Sequence, residues 1–229
     1  MKKVFILLAA VLFIAAGTAA FGAISTTPHN LTNTANPVYT SSSTATLCGF
    51  CHIPHGGNTA VAGLPLWARQ GQAASFYSVY GGGTTLAGTT VNAPGANSLT
   101  CLTCHDGTVG VGITYKNGVA ATPYTMTTNT GGHITGNGAL DWAGYNSDAT
   151  LSGYNPVIGG SAGDDLTNDH PVGVVYTVGS AGLGTAPSWA KLYSSRVECA
   201  SCHDPHDMTN DPFLRAPAAT ICQGCHSTK

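Results

Sequence analysis

Three observations predict a mostly irregular, loop-rich single domain with a few short helices and one β-hairpin, wrapped on cofactors more than on a side-chain core. Cys-x-x-Cys-His occurs four times, as Cys48–His52, Cys101–His105, Cys199–His203 and Cys222–His226, and the four copies use all 8 cysteines. Two thiols and an imidazole at this spacing attach a c-type haem, the thiols through its vinyl groups and the histidine through its iron. With 207 residues after position 22, each motif has about 52 residues, so haem faces supply most of the core. Glycine, threonine and asparagine dominate residues 80–97, and glycine dominates 131–163, compositions that read as loop. The first cysteines are 53, 98 and 23 residues apart, which lacks the fixed period of a solenoid.

The motifs are specific because of the histidine. Nine histidines in 229 residues give any position a chance of about 4 %, and a histidine follows all four pairs. Bare Cys-x-x-Cys pairs would leave zinc, redox or disulfide roles open. Charged residues are 8 % of the chain against a usual figure of about 25 %, which argues against nucleic acid as a partner.

In chain order, Met1-Lys2-Lys3 and the apolar run from Val4 to Ala16 predict a signal peptide over residues 1–22, with cleavage after Gly22 or beside it at Ala20 or Ala23. Its apolar part is too short to span a bilayer. Residues 23–229 form the tetrahaem domain, opening with a polar N-terminal arm, 23–47, that reads as having no stable element. His29 lies near the start of that arm, behind Pro28. The first haem loop ends in His52-Ile53-Pro54-His55, and Leu64–Arg69 is expected as a short helix laying Trp67 on a haem.

After the second motif, residues 109–124 read as a β-hairpin turning at Asn117-Gly118. Asp164, Asp165 and Asp169 lack the spacing of a calcium loop and read as solvated surface. Val174–Val178 is a candidate strand and Pro187–Ser195 a candidate helix. The third motif runs on into His203-Asp204-Pro205-His206. Trans axial ligands of one iron hold their Cα atoms about 13 Å apart, whereas three residues span at most about 10–11 Å. His206 therefore cannot share an iron with His203, and if it binds iron it binds another haem.

The series Pro28-His29-Asn30-Leu31, Cys48–His55, Cys101–Gly107, Asn168-Asp169-His170-Pro171-Val172 and Cys199–His206 resembles the multihaem c-type cytochromes with doubled haem motifs. Within them it is most similar to the outer-surface tetrahaem cytochromes of metal-reducing bacteria, some of which polymerise into haem filaments. The resemblance implies long-range electron transfer through four haems, each with two histidine ligands. His52, His105, His203 and His226 are then the proximal ligands. His29, His55, His170 and His206 are the expected distal ones, the first and third by the family pattern and the other two by their place beside a neighbouring site. His133 is the spare. Met126 and Met208 are rival sixth ligands that would raise the potential.

The expected role is conduction rather than catalysis. The alternative is a nitrite- or sulfite-type reductase with one open haem, for which a leftover His133 beside a five-coordinate iron would be the mark. Export to the cell surface or the extracellular space is expected, with the periplasm as alternative. The partners expected are other multihaem cytochromes, extracellular acceptors and a homopolymer. In the polymer, His29, on a mobile arm, caps an iron of the adjacent subunit, a heterologous contact that propagates as a filament. A monomeric shuttle with His29 folded back is the alternative.

Overall fold

A computed structural model of the chain describes residues 24–32, 39–41, 47–59, 66–83, 85–86, 89–108, 115–116, 119–120, 126–128, 158–159 and 163–227. The signal segment, His133, Trp142 and Tyr145 lie outside these residues, as do the turn residues Asn117 and Gly118.

Every described strand is two or three residues long. In chain order they are β1 (Tyr39–Ser41), β2 (Ser78–Val79), β3 (Thr85–Leu86), β4 (Thr89–Thr90), β5 (Tyr115–Lys116), β6 (Val119–Ala120), β7 (Met126–Thr128), β8 (Asp165–Leu166), β9 (Val174–Val175) and β10 (Arg196–Val197). They pair two at a time. Four pairs are antiparallel, β1 with β7, β3 with β4, β5 with β6 and β9 with β10, and β2 lies parallel to β8. The β5–β6 pair joins Tyr115 to Ala120 and Lys116 to Val119, the register that a two-residue connection imposes.

Three helices carry the last three cysteine motifs: α1 (Ala96–His105), α2 (Cys199–Cys202) and α3 (Ala218–Cys225). Helix α1 begins inside the stretch expected to be loop. It forms because Leu102 and Thr103 are wholly buried on one face, while Leu99 packs against the same cluster. It stops at Asp106, followed by Gly107 at φ +78°, a left-handed conformation that glycine adopts without strain. Among the described residues the apolar core is small. Tyr77, Leu102 and Leu166 form one cluster, and Val79, Val91 and Val174 form another. Polar side chains fill much of the rest: Arg69, Ser98, Asp106 and Ser201 are all at most 2 % exposed.

Three expectations need correction. Residues 24–32 are ordered turns with Thr27 and Asn30 buried. Their short polar side chains bond the local backbone, Thr27 Oγ1 to Ile24 O at 3.0 Å and Asn30 Nδ2 to Ser25 O at 2.7 Å, which replaces a helix or sheet ladder. Of Leu64–Arg69, Leu66 is a left-handed turn residue at φ +66° and 67–69 are not helical, because this backbone is used by the first motif: Ile53 N–H donates to Leu66 O (2.9 Å) and Ala68 N–H to Cys51 O (2.9 Å). Pro187–Ser195 makes a single turn, closed by Ala190 N–H to Pro187 O, before Lys191 N–H is drawn off to Ser201 O.

Candidate haem-binding sites

Each motif is one helical turn. His52 N–H donates to Cys48 O at 2.8 Å, His203 N–H to Cys199 O at 3.1 Å and His226 N–H to Cys222 O at 2.9 Å, while Cys101–His105 is the last turn of α1. Residues i, i+3 and i+4 share a helix face. Both thiols and the imidazole therefore point to one side, as attachment to a single porphyrin needs. Cys48 and Cys222 are exposed and the other six cysteines half-buried.

The turns are held from outside. Gly57 passes so close to the strap at 66–69 that an added Cβ would lie 2.7 Å from Leu66 Cα, and Asn58 Nδ2 donates to Arg69 O at 2.8 Å. At the second and third sites one buried carboxylate joins the pieces. Glu198 accepts from Gly95 N–H at 3.1 Å, at the N-terminus of α1 where negative charge is favoured. It also accepts from the Ser98 hydroxyl, while Ser98 Oγ accepts the Cys199 N–H at 2.9 Å.

The sites are contiguous in the order of the sequence. Burial pushes the Cys51 thiol up to about 12, and the nearby Cys104 adds to this. The thiols of Cys101 and Cys199 bond each other, which holds Cys101 up and Cys199 down. Burial raises Cys202 to about 11, with Cys225 as the next contributor. The second and third sites thus meet at Cys101 and Cys199, while Cys51 of the first lies near Cys104 of the second and Cys202 of the third near Cys225 of the fourth.

Histidines gather beside these turns. The His29 and His105 ring centres are 6.2 Å apart, and those of His52 and His206 are 6.3 Å apart. Stacked rings in this molecule come closer: Phe213 lies 4.3 Å from His29. Two metal–nitrogen bonds of about 2 Å, plus about 1.1 Å from each nitrogen to its ring centre, come to roughly 6.3 Å. Both separations fit an iron held between two imidazoles. Burial first, and His105 next, lower His29 to about 4. Burial and then His206 lower His52, and burial lowers His170, with His226 as a further neighbour. Neutral imidazoles are the form that ligates metal.

Tautomers follow from the partners. A carbonyl can only accept, so Nδ1 carries the proton where it meets one: His203 to Pro212 O at 3.0 Å, His170 to Pro171 O at 3.1 Å and His29 to Pro205 O at 3.4 Å. Nε2 is then left free for a metal, with its ring direction fixed. These donors suit haem, whose iron supplies one-electron redox chemistry when bound.

His29 sits against its own chain's His105 and Phe213, the folded-back placement expected as the alternative to reaching a neighbouring molecule; the turns of 24–32 carry it there. His55 is exposed. Trp67 meets His52 edge-on at 5.5 Å. Three side chains that bear on the sites had drawn no role from sequence. Phe213 covers His29, Glu198 joins α1 to α2, and Arg215 donates through Nε to Ala200 O (3.0 Å) and through Nη1 to Asp204 (2.9 Å). None has a motif, and only the chain's return past the haem turns brings them in.

Residues 193–229 match the family described as the doubled CXXCH motif. No curated protein matches the chain. Among the described residues no helix is long and apolar enough to cross a membrane. The matched span holds the third and fourth sites, and it supports a multihaem c-type cytochrome with covalently bound haem and a role in electron transfer.

Proposed function

We propose that the chain conducts electrons through four covalent c-type haems, one at each Cys-x-x-Cys-His turn, every iron lying between two histidines, and that it is not an enzyme. The observation that carries this reading is the pair of ring separations, 6.2 Å for His29–His105 and 6.3 Å for His52–His206. His170 beside His226 supports a third pair, and His55 is left for the iron at His203. His133 then remains spare. Contiguous attachment turns favour transfer along the row, whereas a reductase needs an iron with an open position.

Haem stoichiometry and the oxidised spectrum test the reading. Four covalent haems per chain, all low-spin, are expected. Fewer than four would defeat the count, and a high-spin fraction in the wild type would favour the reductase. His206→Ala should keep four haems and turn one high-spin.

The compartment proposed is the cell surface or extracellular space, where other multihaem cytochromes or external acceptors receive the electrons. The low charge supports close approach between copies. The contact of His29 with His105, closed within one chain, makes a monomeric shuttle. Exchanged between chains, the same contact makes a heterologous chain of subunits and so a filament.

A further inference from the structure

The two doubled segments differ at one place that matters electrostatically. His52-Ile53-Pro54-His55 has isoleucine where His203-Asp204-Pro205-His206 has aspartate. Asp204 is placed by its surroundings. Its N–H donates to Phe213 O at 2.7 Å, and Arg215 grips its Oδ2 at 2.9 Å while donating its own backbone N–H to Cys202 O. The remaining oxygen, Oδ1, accepts the His206 N–H at 3.1 Å and faces His206 Nδ1 at 3.6 Å. At that last distance the carboxylate faces the ring nitrogen without a formed hydrogen bond.

We propose that Asp204 is a positioning residue that presents a carboxylate to Nδ1 of His206 and so lowers the potential of the iron between His206 and His52. The inference rests on the reading that His206 is the second ligand of that iron. His29, His170 and His203 turn Nδ1 to neutral backbone carbonyls. His206 alone among these turns Nδ1 to an anion, and an anionic neighbour makes an imidazole a stronger donor to ferric iron. Asp106 follows the second motif in the same way that Asp204 follows the third, but its carboxylate is taken by the Tyr77 hydroxyl at 2.9 Å and by Thr108 at 2.8 Å. It serves packing.

The test is a spectroelectrochemical titration of the haem-loaded protein beside Asp204→Asn, which keeps an acceptor for the His206 N–H and removes the charge. One of the reduction waves should move to more positive potential, the others should stay, and the oxidised spectrum should remain low-spin. Ile53→Asp should move a different wave negative. A low-spin Asp204→Asn protein with every wave unmoved overturns the proposal, as does one whose only change is a high-spin iron, since that is the mark of a mere scaffold. The ligation reading has its own outcome: if His206→Ala stays wholly low-spin, that reading fails, whereas a high-spin His206→Ala with unmoved Asp204→Asn waves defeats the tuning role alone.

Discussion

A single residue, Glu198, sets a pH dependence that no haem ligand needs to explain. Its carboxyl is 2 % exposed, and burial raises it above the ordinary 4.5, against the opposing bonds from Ser98 and Gly95. An acid raised in the folded state stabilises fully below its unfolded value, and that contribution is lost as pH rises through the raised value. Thermal melting should therefore show stability falling as pH climbs from about 4.5 towards the raised value. Glu198→Gln should flatten that slope; a variant with the wild-type slope removes Glu198 as its source. The residue was not legible in the sequence because burial of a lone glutamate between two helix starts is a tertiary event. The haem turns were legible, since Cys-x-x-Cys-His fixes its own geometry within one turn.

Glycine is used where a side chain from another element presses on a helix backbone. A Cβ at Gly95 would meet Glu198 Oε1 at 2.6 Å, and one at Gly224 would meet Trp189 Cζ2 at 2.6 Å and Pro187 Cγ at 3.2 Å. Gly224→Ala should cost about 1–3 kcal/mol, the usual range for overpacking, read by denaturant unfolding of the haem-loaded protein. An unchanged midpoint would mean that Trp189 moves freely. The non-helical strap at 66–69 and the failed helix at 187–195 share one cause. Propensity favoured helix in both, but their N–H and C=O groups bond the first and third motifs instead. Local sequence reads local bonds, and the hairpin pairing of β5 with β6 was foreseeable from Asn117-Gly118 for that reason.

At the scale of the whole molecule, the prediction concerns assembly. His29→Ala should turn one haem high-spin, and size-exclusion chromatography with electron microscopy then separates the two forms of the contact. A wild type that stays monomeric at high concentration marks the closed form. Wild-type filaments that His29→Ala abolishes mark the exchanged one. Filaments that persist in His29→Ala would show that the arm is not the joint. The order of the sites along the molecule could not be had from the sequence, because spacings of 53, 98 and 23 residues do not say which turns meet. The nearness of Cys101 to Cys199 supplies that for the second and third sites.

That nearness also bears on how the protein can be remodelled. Cys101 and Cys199 meet although 98 positions separate them, so their junction is held by α1, Glu198 and α2 rather than by the length of what joins them. Adding ten residues to such a loop raises its closure cost by only about 0.1 kcal/mol. The exposed turn at Val178 and Gly179, where Val178 is 62 % exposed and a Cβ at Gly179 would meet nothing within 4 Å, is thus a graft site, where a binding peptide or surface-anchoring tag can be spliced in while the two flanking turns keep their register.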